Sequence, residues 1–284
     1  MEAIILQFFE SIRNPVLDVV FGVFSILGEA LFVGAVAIML FWLAPRRAGE
    51  MLVVTALTSF PLNSLLKLAV ARPRPYSAGV VEYGKPFLGA ELDEFASFPS
   101  GHTQSVSSLA FACASRGKSK KKRIAFYIVA AVAVLLVMVA RMYFGAHYPT
   151  DVLAGLLLGL FVAVFWIVVY RYAYNARLII LLLLAALFII GVPFAPSHDF
   201  LQAAGLLSGA AIALALGHFI LVDKEHAPFP RRLWRIPVGL ALMATVFALT
   251  LFFPEGEVFT LLKWFLLAFA AGACAPAIFQ QLNI

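Results

Sequence analysis

From residue 16 onward the chain alternates long apolar runs with short polar breaks, at lengths near the roughly 20 apolar residues that a bilayer core demands of a spanning helix. The first run, about 16 to 44, is long for one crossing. It carries Gly28 and Glu29 midway, so a shorter helix followed by a full crossing is one way to divide it. Further spans are expected at about 49–71, 101–115, 124–145, 150–171, 177–192, 203–222, 236–253 and 258–279. The pattern therefore predicts an all-α polytopic transmembrane bundle of about nine spanning helices, within a range of eight to ten. Helices are the expected element because they satisfy their own backbone groups in lipid. Ahead of the first span, "MEAIILQFFESIRNP" has neither a basic start nor a small-residue cleavage site. It is expected to form a short amphipathic helix lying at the membrane interface.

Composition sharpens this picture. Of 284 residues, 63% are hydrophobic and 13% charged, with a mean hydropathy of +0.97. A soluble domain carries about a quarter charged residues. Cys113 and Cys274 both fall inside apolar runs, so they are read as small packing residues, and a disulfide framework or zinc site is not expected.

The loops sort by charge. "APRRAGE", "RGKSKKKR", "RYAYNAR" and "DKEHAPFPRRLWR" hold most of the 21 Lys and Arg residues. The 73–99 loop, "VPFAPSHDF" and "PEGE" form an acidic set that alternates with them along the chain. The positive-inside rule assigns the basic set to the cytoplasm, and the C-terminus with it, in a cell membrane. The net charge of +6 is accounted for by topology and contact with anionic membrane lipids. No basic folded module for nucleic acid is visible.

Ionisable residues inside or at the ends of spans point to function by default. Lys67 and Arg74 are seven residues apart, on one side of a helix if it persists that far, before Pro73 and Pro75 end it. "FPSGHT" places Ser100, Gly101 and His102 at a helix start. "VARMYFGAHYPTDVLAG" ends one span on Arg141 and opens the next on Asp151, with His147 one turn before that carboxylate. Taken singly, each has a plain structural reading: Lys67 snorkels, Arg72 and Arg74 meet headgroups, Ser100 caps one helix, and Thr150 and Asp151 cap another. Topology sets all of them on one extracytoplasmic face. Three cations, two histidines, a carboxylate and a helix N-terminus together make an anion site.

The three blocks Lys67-x6-Arg74-Pro75, Pro99-Ser100-Gly101-His102 and Arg141-x5-His147-x3-Asp151 resemble, in order and spacing, the signature of the type-2 phosphatidic acid phosphatase superfamily, which shares its site with vanadium haloperoxidases. The resemblance covers about residues 49 to 171. It implies a membrane hydrolase that removes the terminal phosphate of a lipid phosphate or polyprenyl diphosphate. His147 would attack phosphorus and form a phosphohistidine, with Asp151 holding its other ring nitrogen. His102 would protonate the leaving group and later activate water. Lys67, Arg74 and Arg141, with the amides near Ser100 and Gly101, would stabilise the equatorial oxygens. Those cations fill the electrostatic role of a metal, so metal-independent catalysis without a cofactor is expected. One departure stands out: the residue before Arg141 is Ala140, where the family usually has serine. A carrier or scramblase that binds phosphate without cleaving it is the alternative.

The expected organisation is an interfacial helix over 1–15, a catalytic transmembrane core over 16–175 and four further helices over 176–284. In that last region His198, Asp199, His218 and Lys263 form no constellation, and packing or interfacial roles are expected. Extra helices of this kind are also found in sphingosine-phosphate phosphatases and glucose-6-phosphatase, of the same superfamily. Gly205, Ser208, Gly209, Ala213 and Gly217 suit close helix packing, a homodimer contact among the options. The acidic loop residues Glu82, Glu91, Asp93 and Glu94 are read as a solvated face. A lid, or a contact to an amine-bearing headgroup, is the functional alternative.

Overall fold

The computed structural model describes residues 1–82, 96–194, 197–220 and 227–284, so Glu91, Asp93 and Glu94 of the acidic loop lie outside the described residues. The helices in chain order are α1 (Glu2–Ser11), α2 (Pro15–Ile26), α3 (Ala30–Leu43), α4 (Arg46–Val70), α5 (Gly101–Ala114), α6 (Lys120–Tyr143) and α7 (Pro149–Tyr172). They continue with α8 (Arg177–Gly191), α9 (His198–Ile220), α10 (Phe229–Arg232), α11 (Arg235–Thr250), α12 (Glu257–Phe269) and, after one π turn, α13 (Ala275–Leu282). Among the described residues seven helical segments are long and apolar enough to cross a membrane, or eight if α2 and α3 count as one broken span bent by 44°. The ninth expected crossing corresponds to α5. With 14 residues it rises only about 21 Å, and it is rich in buried Ser, Thr and Gln.

The chain forms two compact units. The first comprises Met1–Gly34 and Leu62–Phe165, and holds every residue of the three-block pattern. Its helix ends are set locally by sequence. Asn14 caps α2, its Oδ1 accepting from the amides of Val16 and Leu17 at 3.1 and 3.0 Å, with Pro15 preset in the first turn. Ser119 caps α6 in the same way. At its other end α6 closes in a Schellman motif: Ala146 donates to the Arg141 carbonyl and Gly145 to Met142, with Gly145 left-handed at φ +61°. That motif turns the chain sharply between Arg141 and His147.

Two glycines of α7 let α5 approach closely. A Cβ on Gly155 would lie 2.5 Å from the Ser100 carbonyl, and one on Gly159 would lie 2.5 Å from that of Gln104. This is the small-xxx-small packing used between membrane helices. Asn63 of α4 fastens α5 from another side, donating to Gln104 Oε1 at 2.8 Å and to the Pro99 carbonyl at 3.4 Å. The start of α5 is thus clamped by hydrogen bonds rather than by apolar burial, which explains so polar a helix in so apolar a chain.

The second unit comprises Ala35–Pro61 and Trp166–Ile284. Buried Glu50 joins Arg46 at 2.9 Å and Arg177 at 3.1 Å. Gly205 and Gly209 of α9, two of the close-packing positions, meet α12 of the same chain: a Cβ on Gly205 would lie 2.5 Å from the Leu261 carbonyl, and one on Gly209 would run into that of Phe265. A cavity of about 490 Å³ is walled by residues that include Trp42, Arg46, Arg231, Arg235 and Phe279, and no residue of the three-block pattern lines it.

Candidate active site

Arg74, Arg141, His147 and Asp151 are all buried, a placement that costs heavily for charged groups unless each is compensated. The compensation is specific. Asp151 sits in the first turn of α7, and its Oδ2 accepts from the Tyr148 amide at 2.9 Å in the manner of a capping box. The same oxygen accepts from the Ser97 hydroxyl at 2.5 Å, while Oδ1 accepts from Arg72 Nη1 at 2.7 Å. Arg72 also reaches Glu2 of α1 at 2.9 Å and lies over the Tyr148 ring. Burial opposes the Arg72 charge, yet the Asp151 and Glu2 carboxylates hold its pKa above the usual value. Glu2 accepts from the Thr150 amide and hydroxyl as well, tying α1 to the start of α7.

His147 is oriented by a different group from the one expected. Its Nδ1 lies 2.7 Å from the Ser97 carbonyl oxygen, and Asp151 Oδ2 is 3.9 Å away. The carboxylate is already engaged by Arg72, Ser97 and Tyr148, so it reaches the imidazole through Ser97 and through its field. A carbonyl oxygen can only accept, which puts the proton on Nδ1 and the lone pair on Nε2. That lone pair faces Arg74, whose Nη1 is 3.4 Å away and also donates to the Ala146 carbonyl at 3.0 Å. Burial first, then the Arg74, Arg141 and Lys67 charges, hold the His147 pKa well below the usual imidazole range. The ring is neutral at physiological pH.

Arg141 donates from Nη1 to the Ser25 hydroxyl at 2.8 Å. Its Nε is the one buried side-chain polar atom without a hydrogen-bond partner among the described residues. Leaving such a donor unmet costs about 1–3 kcal/mol, more when it is charged. Lys67 interacts electrostatically with both His102 and His147. Ser100 caps α5 through its hydroxyl and spends its own amide on the Asp151 carbonyl at 3.0 Å. The amides of Gly101 and His102 follow in the first helical turn, where no intrahelical acceptor exists.

His102 Nε2 is 2.9 Å from Glu29 Oε2, at the break between α2 and α3. Glu29 was legible only as an interruption of an apolar run. An intramembrane carboxylate in such a run was nonetheless a signal for function. Ser97 and Ser25 carried no signal of their own. Among the described residues no group of three or more His, Cys, Asp or Glu is arranged to hold a metal.

The site therefore brings together a neutral imidazole whose Nε2 lone pair lies beside Arg74, a second histidine paired to a carboxylate, and the cations Lys67, Arg74 and Arg141, a set suited to phosphoryl transfer. The sequence comparisons agree on the class: residues 47–177 match the PAP2 superfamily and residues 201–284 match the transmembrane extension of PAP2 superfamily phosphatases, and the chain belongs to this superfamily. It is similar to a lipid A 1-phosphatase of Rhizobium johnstonii, 40% identical over 114 residues that cover 39% of this chain and 43% of that protein. An undecaprenyl-diphosphatase of Sulfolobus acidocaldarius is 28% identical over 131 residues, covering 46% and 59%. Phosphatidylglycerophosphatase B of Bacillus subtilis is 30% identical over 159 residues, covering 52% and 73%. The chain thus spans less than two-thirds of the length of the first two.

Proposed function

We propose that this chain is an integral membrane phosphatase that hydrolyses the terminal phosphate of a lipid phosphate or polyprenyl diphosphate through a phosphohistidine on His147. The observation that carries the reading is the Nδ1–H of His147 locked on the Ser97 carbonyl, leaving Nε2 as a nucleophile among cations. In the first step the Nε2 lone pair attacks phosphorus, the bond to the leaving oxygen breaks, and His102 gives that oxygen its proton. The imidazolium that forms keeps its Nδ1 proton on Ser97 and is stabilised by the Asp151 charge at 3.9 Å. In the second step water attacks the phosphohistidine, its proton goes to His102, and the P–N bond breaks to free His147 and phosphate. Lys67, Arg74 and Arg141 hold the equatorial oxygens in both steps without a metal. The Arg141 Nε and the first amides of α5, from Gly101 next to Ser100, are donors suited to the same oxygens.

Relatives acting on lipid A, an undecaprenyl diphosphate and a phosphatidylglycerophosphate share a phosphate on a membrane-anchored tail, and that is the substrate class assigned here. The charge asymmetry of the loops supports a site opening on the extracytoplasmic face. Release of phosphate from a panel of lipid monophosphates and diphosphates by the detergent-purified protein tests the reading. Turnover that falls at least a thousandfold in both His147→Ala and His102→Ala, and that survives a chelator, supports it. Vanadate binding without turnover on any lipid would instead indicate a phosphate-binding carrier.

A further inference from the structure

We infer that Glu29 is a positioning residue that sets the proton state of His102 throughout the catalytic cycle. The inference rests on the function proposed above, and starts from how the break between α2 and α3 meets α5. Gly28 packs against His102 so tightly that a Cβ there would fall 2.7 Å from the His102 Cβ and 2.8 Å from its carbonyl oxygen. Glycine at 28 thus brings the backbone of the break onto the first turn of α5. The next residue, Glu29, then reaches the far side of the His102 ring, Oε2 to Nε2 at 2.9 Å. The close approach of the two backbones thus sets Glu29 within reach of the ring.

The pairing decides which nitrogen does what. A carboxylate only accepts, so Nε2 carries a proton in every state of the cycle, and Nδ1 is left for the substrate. To act as an acid, His102 must also hold a proton on Nδ1 and be an imidazolium. The charged groups facing it are Glu29 from the α2–α3 break, Arg141 from the end of α6 and Lys67 from α4, with His147 from the α6–α7 turn. Three of these four are cationic or neutral and only Glu29 favours the imidazolium. Once Nδ1 has given its proton to the leaving oxygen, the Nε2–H held by Glu29 leaves Nδ1 as the free lone pair. That is the tautomer needed to take the proton from the attacking water in the second step. One contact therefore serves both halves of the reaction. The Glu29 side chain is 53% exposed and that of His102 20%, so solvent screens the pair.

The test compares the parent with Glu29→Gln, Glu29→Asp and His147→Ala on two esters: the best alkyl phosphate substrate, and 4-nitrophenyl phosphate, whose phenolate departs without a proton. Gln keeps an acceptor for Nε2–H and removes the charge; Asp keeps the charge on a shorter arm. For Glu29→Gln the alkaline limb of kcat/KM on the alkyl ester should move to lower pH by about one unit, because loss of the carboxylate weakens the imidazolium. At pH 8 the alkyl ester should lose about tenfold, the shift of one unit read as rate, and the aryl ester clearly less. Glu29→Asp should return part of the limb. Equal losses on both esters with an unmoved limb in Glu29→Gln and Glu29→Asp would make Glu29 a packing residue and overturn the inference. If His147→Ala turns over like the parent, the proposed route through a phosphohistidine on His147 itself fails; if His147→Ala is dead while Glu29→Gln matches the parent, only the role of Glu29 fails.

Discussion

Ser97 and His147 are joined by a 2.7 Å hydrogen bond between a backbone carbonyl and Nδ1, and the hydroxyl of the same serine donates to Asp151 at 2.5 Å. Asp151 and His147 are thus linked through one residue that lies three positions before Ser100, the cap of α5. Ser97 is itself fixed by its amide, which donates to the Arg72 carbonyl at 3.0 Å. A carbonyl anchor cannot be removed by a side-chain substitution, whereas the carboxylate can.

Replacing Asp151 by Asn keeps its volume and removes the charge that faces both Arg72 and the growing imidazolium. A fall in kcat of about a hundred- to a thousandfold is expected, below the roughly 10⁴ of a triad in which the carboxylate touches the imidazole directly. Ser97→Ala should cost about tenfold, near the low end of the roughly 1.5–3 kcal/mol of one hydrogen bond to a charged group. Steady-state kinetics on the preferred lipid decide it. A serine variant as impaired as Asp151→Asn would mean the hydroxyl, and not the carbonyl, is the essential link.

The depressed His147 pKa has a consequence for the acid limb of kcat/KM. A lowered pKa keeps the imidazole neutral to lower pH, so the limb should not fall near the ordinary histidine value of about 6.5. Arg74→Gln removes one of the cations that disfavour the imidazolium. The pKa then rises, the neutral fraction at mildly acidic pH shrinks, and the limb moves toward that ordinary value. A pH profile of both proteins on one substrate checks the sign, and a limb that moves to lower pH contradicts it.

Much of this is legible in the sequence, and what is not shares a cause. The helix ends followed local rules: Asn14, Ser100 and Ser119 cap, and Gly145 takes the left-handed turn after α6. The three-block spacing placed Arg74, His102, Arg141, His147 and Asp151 on one side, and they meet. The contacts that escaped join residues remote in sequence: Glu29 to His102, Ser25 to Arg141 and Glu2 to Arg72. None has a period or motif, because each depends on how separate helices dock. The expected direct bond from Asp151 to Nδ1 was misplaced for the same reason, since Arg72 and Ser97 take the carboxylate first. The count of about nine crossings was approximate because α5 is held by polar clamps and glycine contacts, so its apolar length is no guide.

The clamp itself can be tested at Gly159. A Cβ there would lie 2.5 Å from the Gln104 carbonyl and 2.6 Å from the Ser107 hydroxyl oxygen. Gly159→Val forces α5 away from α7, and overpacking of this kind costs about 1–3 kcal/mol. The thermal midpoint in detergent should drop by several degrees, and kcat should fall too, because the start of α5 carries His102. A drop in stability with unchanged kcat would show that the His102 end of the helix keeps its place without the Gly159 contact.

The unmet Nε of Arg141 gives the sharpest binding prediction. A buried guanidinium N–H without a partner destabilises the empty site, and an oxyanion that accepts from it relieves that cost in the bound state only. Vanadate or inorganic phosphate should therefore raise the thermal midpoint of the detergent-solubilised protein, by about 2.7 kcal/mol of added stability at a hundredfold excess over its dissociation constant. Arg141→Lys keeps the positive charge and loses the planar fork that holds Ser25 with one nitrogen while offering Nε to the anion. Its affinity for vanadate should weaken about tenfold or more, a single charge-assisted hydrogen bond of roughly 1.5–3 kcal/mol. Anion protection in Arg141→Lys equal to that of the parent would mean that charge alone binds the oxyanion, and that Nε points at nothing the substrate supplies.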